Sequence, residues 1–464
     1  FRAKHKAHAF LGAALMLLIA LLFTACKQPA SAEKPEPPAP PAPPKHAVTF
    51  SVEGTPPNGT LKAILGTSEI TSGDKVEEGK WVIFTAKADD GYRVIEWKLD
   101  GNAILGHKSN TYAHKVTKPA AITVSFEPYS VKLTLSPDKN TLKVKAKTKD
   151  GSAMKVEGCT VTELASDVET TLTAIGTKVT LIGDIIELNC SGEEMPGGNR
   201  PLIALDVSGC TALQKLNCRF NFITELDVQG LTELQELYCN SNTLTVLDVH
   251  GLTKLQKLDC SVNRLTALNA KGLTALEELN CYSNRELSTL DVQGCTALQK
   301  LDCINNKITS LDVSGLTELQ ELICNDNKIL ELNVQGLTKL QQLKCRGNQL
   351  TALDVSGLTE LQKLNCDENQ LSSLNVQGCT ALKELLCFRN KLNTDAFTKL
   401  FNDLPKWEES DGAWARVYMK GTNVTEGNCT DFTQPESLKK AFENAKNIKH
   451  WKLQKMKGYI EEDI

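Results

Sequence analysis

From residue 185 to residue 392 the chain repeats itself, and the period leaves few folds open. The unit reads Leu-x-x-Leu-x-Cys-x-x-Asn-x-Leu/Ile-x-x-Leu-Asp-Val-x-Gly-Leu/Cys-Thr-x. Its first leucines are Leu213, Leu234, Leu255, Leu276, Leu298, Leu319, Leu340, Leu361 and Leu382. Each step is 21 residues except that from Leu276 to Leu298, which is 22 because of an extra residue near Arg285-Glu286. A degenerate copy opens at Ile185, with Leu188 and Cys190, and carries an insertion from Glu193 to Arg200; that makes ten copies. Leu216 and Cys218 lie two apart, so on a strand both face one core. Leu226 and Val228 repeat that spacing on an opposite wall, where a second short strand is expected. One coil cannot bury both walls alone, so the coils must stack as a solenoid. At ~4.7–4.9 Å per coil, the stack extends about 45 Å.

This pattern is identified as a leucine-rich repeat in which cysteine replaces the third leucine. With its flanks it resembles the leucine-rich-repeat surface lipoproteins of treponeme-type spirochaetes. The expected fold is mainly β: a leucine-rich-repeat solenoid of about ten coils, preceded by a small β-grasp-like domain and closed by an α/β cap. The resemblance implies that the asparagine column, from Asn221 to Asn390, is buried and bonds the backbone of adjacent turns. An unpaired buried amide is costly, so a regular column needs regular partners.

The cysteine column runs through Cys190, Cys218, Cys239, Cys260, Cys281, Cys303, Cys324, Cys345, Cys366 and Cys387. Side chains stacked in register keep their Cβ atoms too far apart for disulfides. Zinc needs converging ligands, often a Cys-x-x-Cys pair, which is missing here. The column therefore reads as small buried hydrophobes. Cys210, Cys295 and Cys379 replace a core leucine, which leaves Cys159 and Cys429 as candidate exposed thiols. An aspartate column (Asp206, Asp227, Asp248, Asp291, Asp312, Asp354) lacks the glycine-rich nonapeptide of calcium β-rolls and reads as turn capping or solvent-exposed. No metal or cofactor is expected.

Recognition is sought on the outward positions of the concave strands. One column alternates in sign: Lys215, Glu236, Lys257, Glu278, Lys300, Glu321, Gln342, Lys363, Glu384. Opposite charges on neighbouring strands attract, so this row reads as support. The next two columns, which begin at Asn217 and Arg219, are irregular and carry Tyr238, Tyr282, Ile304, Ile323 and Arg346 in mid-solenoid. Leu386, Phe388 and Arg389 form a C-terminal rim. Outward apolar and aromatic side chains cost solubility, and Tyr and Arg are typical interface anchors. These eight residues are the candidate ligand-binding set.

Before the repeats, Arg2, Lys4 and Lys6 precede an apolar run from Phe10 to Ala25, which fits a signal peptide over 1–25. Leu22-Phe23-Thr24-Ala25-Cys26 resembles a bacterial lipobox, although Phe23 departs from the usual small aliphatic residue. That resemblance implies lipidation of Cys26. Residues 26–46 are a proline-rich tether. Residues 47–128 alternate apolar and polar positions between turn signals. Their Asp90-Gly91-Tyr92 to Trp97 stretch and closing Val124-Ser125-Phe126 strand resemble the divergent internalin B-repeat family, with Tyr92 and Trp97 expected in the core. Residues 129–184 read as a β connector and N-terminal cap, 185–392 as the repeats, and 393–464 as the C-terminal cap.

The net charge of −4 gives no reason to expect nucleic acid. Histidines at 107, 114, 250 and 450 are dispersed, and no hydrolase or phosphate-loop motif occurs, so no enzymatic activity is expected. The leading expectation is a monomeric surface protein, lipid-anchored in a bacterial envelope, that binds a protein or cell-surface ligand. The alternative is an envelope protein without an external ligand. Asn423-Val-Thr and Asn428-Cys-Thr match glycosylation acceptors by chance.

Overall fold

A computed structural model describes residues 41–89, 91–107, 109–195, 197–421, 425–457 and 460–464. The apolar leader, Cys26, most of the tether, Asp90 and Asn423 lie outside these residues.

Each coil contributes one three-residue strand to the concave wall, as in Lys215–Asn217, Glu236–Tyr238 and Lys257–Asp259. Neighbours pair in parallel and in register, with Leu216 opposite Leu237 and Leu237 opposite Leu258. The ladder runs on past the strands, because each column cysteine donates its N–H to the next coil, as Cys218 does to the Tyr238 carbonyl at 2.9 Å. The expected second strand on the opposite wall pairs between coils at Ala267–Asn269 with Thr289–Asp291 and at Ala352–Asp354 with Ser373–Asn375, and in the first coil Leu202–Asp206 is also a strand.

The asparagine column is buried, apart from the half-buried Asn369, and its amides bond the backbone of adjacent coils. Asn263 donates to the carbonyls of Cys239 (3.0 Å) and Cys260 (3.1 Å), and its Oδ1 accepts the Leu244 N–H at 2.9 Å. One side chain thus satisfies three backbone groups from three stretches of chain, which the ordinary helix or sheet ladders leave unpaired here. The 22-residue coil breaks one rung. There the Leu287 N–H turns back to the Asn284 carbonyl at 2.7 Å, and Asn306 Oδ1 is buried without a partner.

The aspartates of the Leu-Asp-Val segment cap turns. Asp227, Asp248, Asp291 and Asp312 each accept the N–H two residues on at 2.9–3.0 Å, and Asn269 and Asn333 do the same. The column cysteines are unpaired and buried. Burial pushes the Cys218 and Cys324 thiols up to about 12, so they stay protonated and inert at neutral pH. Cys159 is also buried, against the expectation of exposure: its bridge to Ala174 folds it into the cap, leaving Cys429 half-exposed.

Both ends of the stack are closed. Thr141–Thr148 pairs antiparallel with Ile185–Asn189 on the concave wall. Ser130–Leu135 pairs antiparallel with Leu202–Asp206 on the other. Each open sheet edge is thereby covered. At the far end, helix Thr394–Asp403 leads to strand Trp414–Lys420, and helix Glu436–Asn447 leads to strand Lys452–Lys457. Both strands extend the parallel sheet, and Ile460–Asp463 ends it as an antiparallel edge. Asn428 also serves as a further asparagine rung. Its amide donates to Cys387 and Val417 carbonyls and accepts the Leu392 N–H, at 2.8–2.9 Å. One hydrophobic core runs from Val131 to Leu453.

A separate core, from Val48 to Val124, belongs to the preceding domain of two sheets. Trp97 is fully buried there, and its indole donates to the Ser109 carbonyl at 2.8 Å. Tyr92 is only partly buried, at the start of its strand. Arg93 reaches the Ser208 carbonyl at 2.9 Å, which ties this domain to the first coils.

Candidate functional site

The concave face is a single parallel sheet, and its outward side chains divide into those with a structural task and those without. In the first column, Lys215–Glu236, Lys257–Glu278 and Lys363–Glu384 form ion pairs at 3.0–3.1 Å across adjacent strands. In the second column the asparagines and aspartates turn out to be caps. Asn217, Asp259, Asn280, Asp302 and Asn365 each accept the N–H two residues on, at 3.1–3.3 Å. Tyr238, Ile323, Lys344 and Leu386 occupy that column without being able to cap in this way.

The third column is not uniformly outward, which corrects the alternation argument. Asn240, Ser261 and Asp367 are buried, while Tyr282, Ile304, Arg346 and Phe388 are half-buried. The strands are three residues long, and immediately after this column the chain enters a left-handed turn in coil after coil. Phe220, Ser241, Val262, Ser283, Asn305, Asp326, Gly347, Glu368 and Arg389 all have φ between 52° and 66°. That turn tips the third column over the core.

Of the candidate set, Tyr238, Tyr282, Ile304 and Ile323 lie half-buried on consecutive parts of the same face. Tyr238 donates its hydroxyl to Glu236 at 3.2 Å and lines a cavity of about 250 Å³ with Lys147, Glu187 and Lys215. Between the tyrosines and isoleucines sit Asp259 and Asp302, whose carboxyls burial pushes up from the usual range. Arg346 and Arg389 are engaged in the protein itself. Arg346 pairs with Glu368 at 2.9 Å and with Asp367 at 3.3 Å, and Arg389 also pairs with Glu368.

Val262 adds to this face a residue that periodicity does not reveal. It is exposed, and its φ of 52° is strained for a β-branched side chain. Asn305 takes the same turn position in another coil with φ 55°. Val262→Asn is expected to raise the unfolding free energy by about 1 kcal/mol, read from urea denaturation midpoints. An unchanged or lowered midpoint would show that no strain is stored there.

The repeat period also does not show how far the face extends. Strand pairing places Glu384 opposite Trp414 and Leu386 opposite Arg416. The Arg416 guanidinium lies over the Trp414 ring, 4.5 Å from its centroid. With His450, Trp451 and Lys452 they line an open cleft of about 820 Å³. The C-terminal rim of Leu386 and Phe388 therefore continues into the cap. The concentration of Trp407, Trp414 and Trp451 in the last sixty residues was the available signal. Among the described residues no group of three His, Cys, Asp or Glu side chains is placed to hold a metal.

The architecture is a leucine-rich-repeat solenoid. Residues 60–130 match the divergent InlB B-repeat domain family. Among solved structures, the chain is similar to the functional domain of InlJ from Listeria monocytogenes, described as including a cysteine ladder. The identity is 29%, over 53% of this chain and 63% of that one, with a TM-score of 0.38. It is also similar to a Leptospira interrogans leucine-rich-repeat protein (20% identity, 53% and 73% coverage, TM-score 0.30) and to YopM from Yersinia enterocolitica (21%, 45% and 52%, TM-score 0.30). The chain thus spans less than two thirds of the Listeria domain it resembles. No curated protein matches the sequence.

Proposed function

We propose that this protein is a lipoprotein displayed on a bacterial surface, anchored through Cys26, that binds a host or bacterial macromolecule on the concave face of its solenoid. One observation carries the binding half of this reading. On a sheet where most outward polar residues pair or cap, Tyr238, Tyr282, Ile304 and Ile323 hold outward positions with no capping or ion-pairing task that would explain them. Half-exposed aromatic and aliphatic side chains on a rigid sheet lose little entropy on contact and are effective anchors. Between Glu236 and Asn325 the three outward columns hold five acidic residues and two basic ones, Lys257 and Lys300, which favours a partner with basic side chains. The anchor rests on the lipobox resemblance.

The test uses immobilised host extracellular-matrix proteins and whole partner bacteria as probes. Tyr238→Ala/Tyr282→Ala is expected to lower binding at least tenfold while the melting transition stays within a few degrees. Undiminished binding would place the site elsewhere. On intact cells, added protease should remove the solenoid; full protection contradicts surface display.

A further inference from the structure

Among the described residues, nothing covers one sheet face of the domain before the solenoid. In its four-stranded sheet the strand Trp81–Ala88 alternates strictly, with Val82, Phe84 and Ala86 buried and the residues between them outward. Two of the outward residues are large and apolar: Trp81 is 57% exposed and Ile83 48%. Ile83 stands in register with Ile64, itself 38% exposed, and with Ala113 on the other side. An alternating strand ordinarily turns polar residues to water, so an isoleucine pair beside a tryptophan is an anomaly.

The surroundings of this patch are basic. Lys62, Lys87 and Lys115 project from the same face, Lys115 directly opposite Trp81. The acid on the neighbouring strand there, Glu69, is taken up by Lys62 at 3.3 Å. At the Trp81 end, Lys75 and Lys80 line a shallow cavity of about 500 Å³ whose one acid, Glu77, pairs with Lys45 at 4.0 Å. The same cavity is lined by Lys45, where the chain from the tether arrives.

We infer that this face docks on an anionic lipid bilayer. The aliphatic side chains Ile64 and Ile83 adjoin across neighbouring strands of one sheet face rather than along a line. Aliphatic side chains gain from the acyl boundary, tryptophan settles at headgroup level, and lysines around them meet lipid phosphates. Cys26 lies 18 residues before Pro44, a length that reaches at most about 60 Å when fully extended. A lipid on Cys26 would hold the face within that distance of a membrane, at high effective concentration. The first domain then lies on the bilayer and fixes the direction in which the solenoid projects.

The inference draws on the proposed anchor but is tested without it, so the two can fail separately. The chain from residue 27 onward, which carries both hydrophobic cores and lacks Cys26, is sedimented with vesicles of phosphatidylcholine alone or with one third phosphatidylglycerol. Binding is expected only to the anionic vesicles, weakening severalfold between 50 and 300 mM salt. Trp81→Ala/Ile83→Thr, which keeps good strand propensity at the central position, should lower it at least tenfold with an unchanged melting transition. Lys87→Glu/Lys115→Glu should act in the same direction. No binding to anionic vesicles, or equal binding by the Trp81/Ile83 variant, overturns the inference. So does retention on a sulfated polysaccharide without vesicle binding, which would identify an acidic polymer instead.

Discussion

Asn263→Ala is expected to lower the unfolding free energy by roughly 3 kcal/mol, while Asn306→Ala costs about 1–2 kcal/mol less. Both side chains are buried in equivalent positions of the same column. Asn263 serves the carbonyls of Cys239 and Cys260 and the Leu244 N–H, with a longer bond to the Ser261 carbonyl. Its removal orphans the Leu244 N–H, at about 1–3 kcal/mol, and takes one of two amide bonds from each of the Cys239 and Cys260 carbonyls, which Asn242 and Asn284 still serve. Asn306 serves the carbonyls of Cys281 and Cys303, but its own oxygen is unsatisfied because the extra residue of the preceding coil drew the Leu287 N–H away. Truncation at Asn306 therefore removes one buried orphan and makes none, since Asn284 and Asn327 still serve those carbonyls. Urea unfolding followed by far-UV circular dichroism measures the difference. Equal losses would mean that the third bond contributes nothing.

The second large effect depends on pH. Asp367 is 1% exposed, its Oδ1 has no partner, and burial pushes its carboxyl up to about 7 against the attraction of Arg346. Unfolded, the group returns to an ordinary carboxylate value. Between about pH 4 and 7 the folded state thus holds a proton that the unfolded state has lost. By linkage, stability falls as pH rises through that window and levels off above it. Asp367→Asn removes the titration and keeps a hydrogen-bonding side chain, and Arg346 retains Glu368. The variant should be more stable than the parent at pH 8, by on the order of 2 kcal/mol after discounting the full shift at 1.36 kcal/mol per unit. Near pH 4 the gap should close. A variant less stable at pH 8 would mean that the Arg346 pairing outweighs the burial of the charge.

These two sites show where sequence reasoning reached and where it stopped. Periodicity located the coils and the phase of each strand. It identified the leucine, cysteine and asparagine columns as interior, because a residue repeated at one phase of a stacked coil meets the same surroundings each time. It also carried the aspartate column to its turn-capping role. What escaped it was set by geometry within a single coil. Strict alternation placed the third column outward, yet the strand ends early and the left-handed turn buries Asn240, Ser261 and Asp367. Non-glycine residues such as Phe220 and Val262 at positive φ leave little trace in composition. Asn428 reads as a glycosylation acceptor by local sequence and as a ladder rung by its bonds, 36 residues beyond the backbone N–H it satisfies. The continuation of the parallel sheet into the α/β cap escaped, because helices replace the short turns there and the 21-residue period disappears while the sheet goes on.

Of the candidate binding residues, the tyrosines and isoleucines of the middle coils keep their place on the open face. Arg346 and Arg389 are held in a charged cluster with Asp367 and Glu368, so their substitution would disturb folding as well as contact. Trp414 is the better probe of the C-terminal rim, since Arg416 is itself paired with Glu461.

The central claim is that the conspicuous columns are architecture, with the cysteines acting as buried packing groups and recognition left to the few side chains without such a task. Mass spectrometry of thiol alkylation tests it most directly. The chain from residue 27 onward is alkylated first in its native state and then, with a second reagent and no reductant, in denaturant. The account predicts that Cys429 takes the first label and that the fourteen buried cysteines take only the second, all as free thiols. Column cysteines recovered as disulfides, or labelled in the native protein, would contradict it.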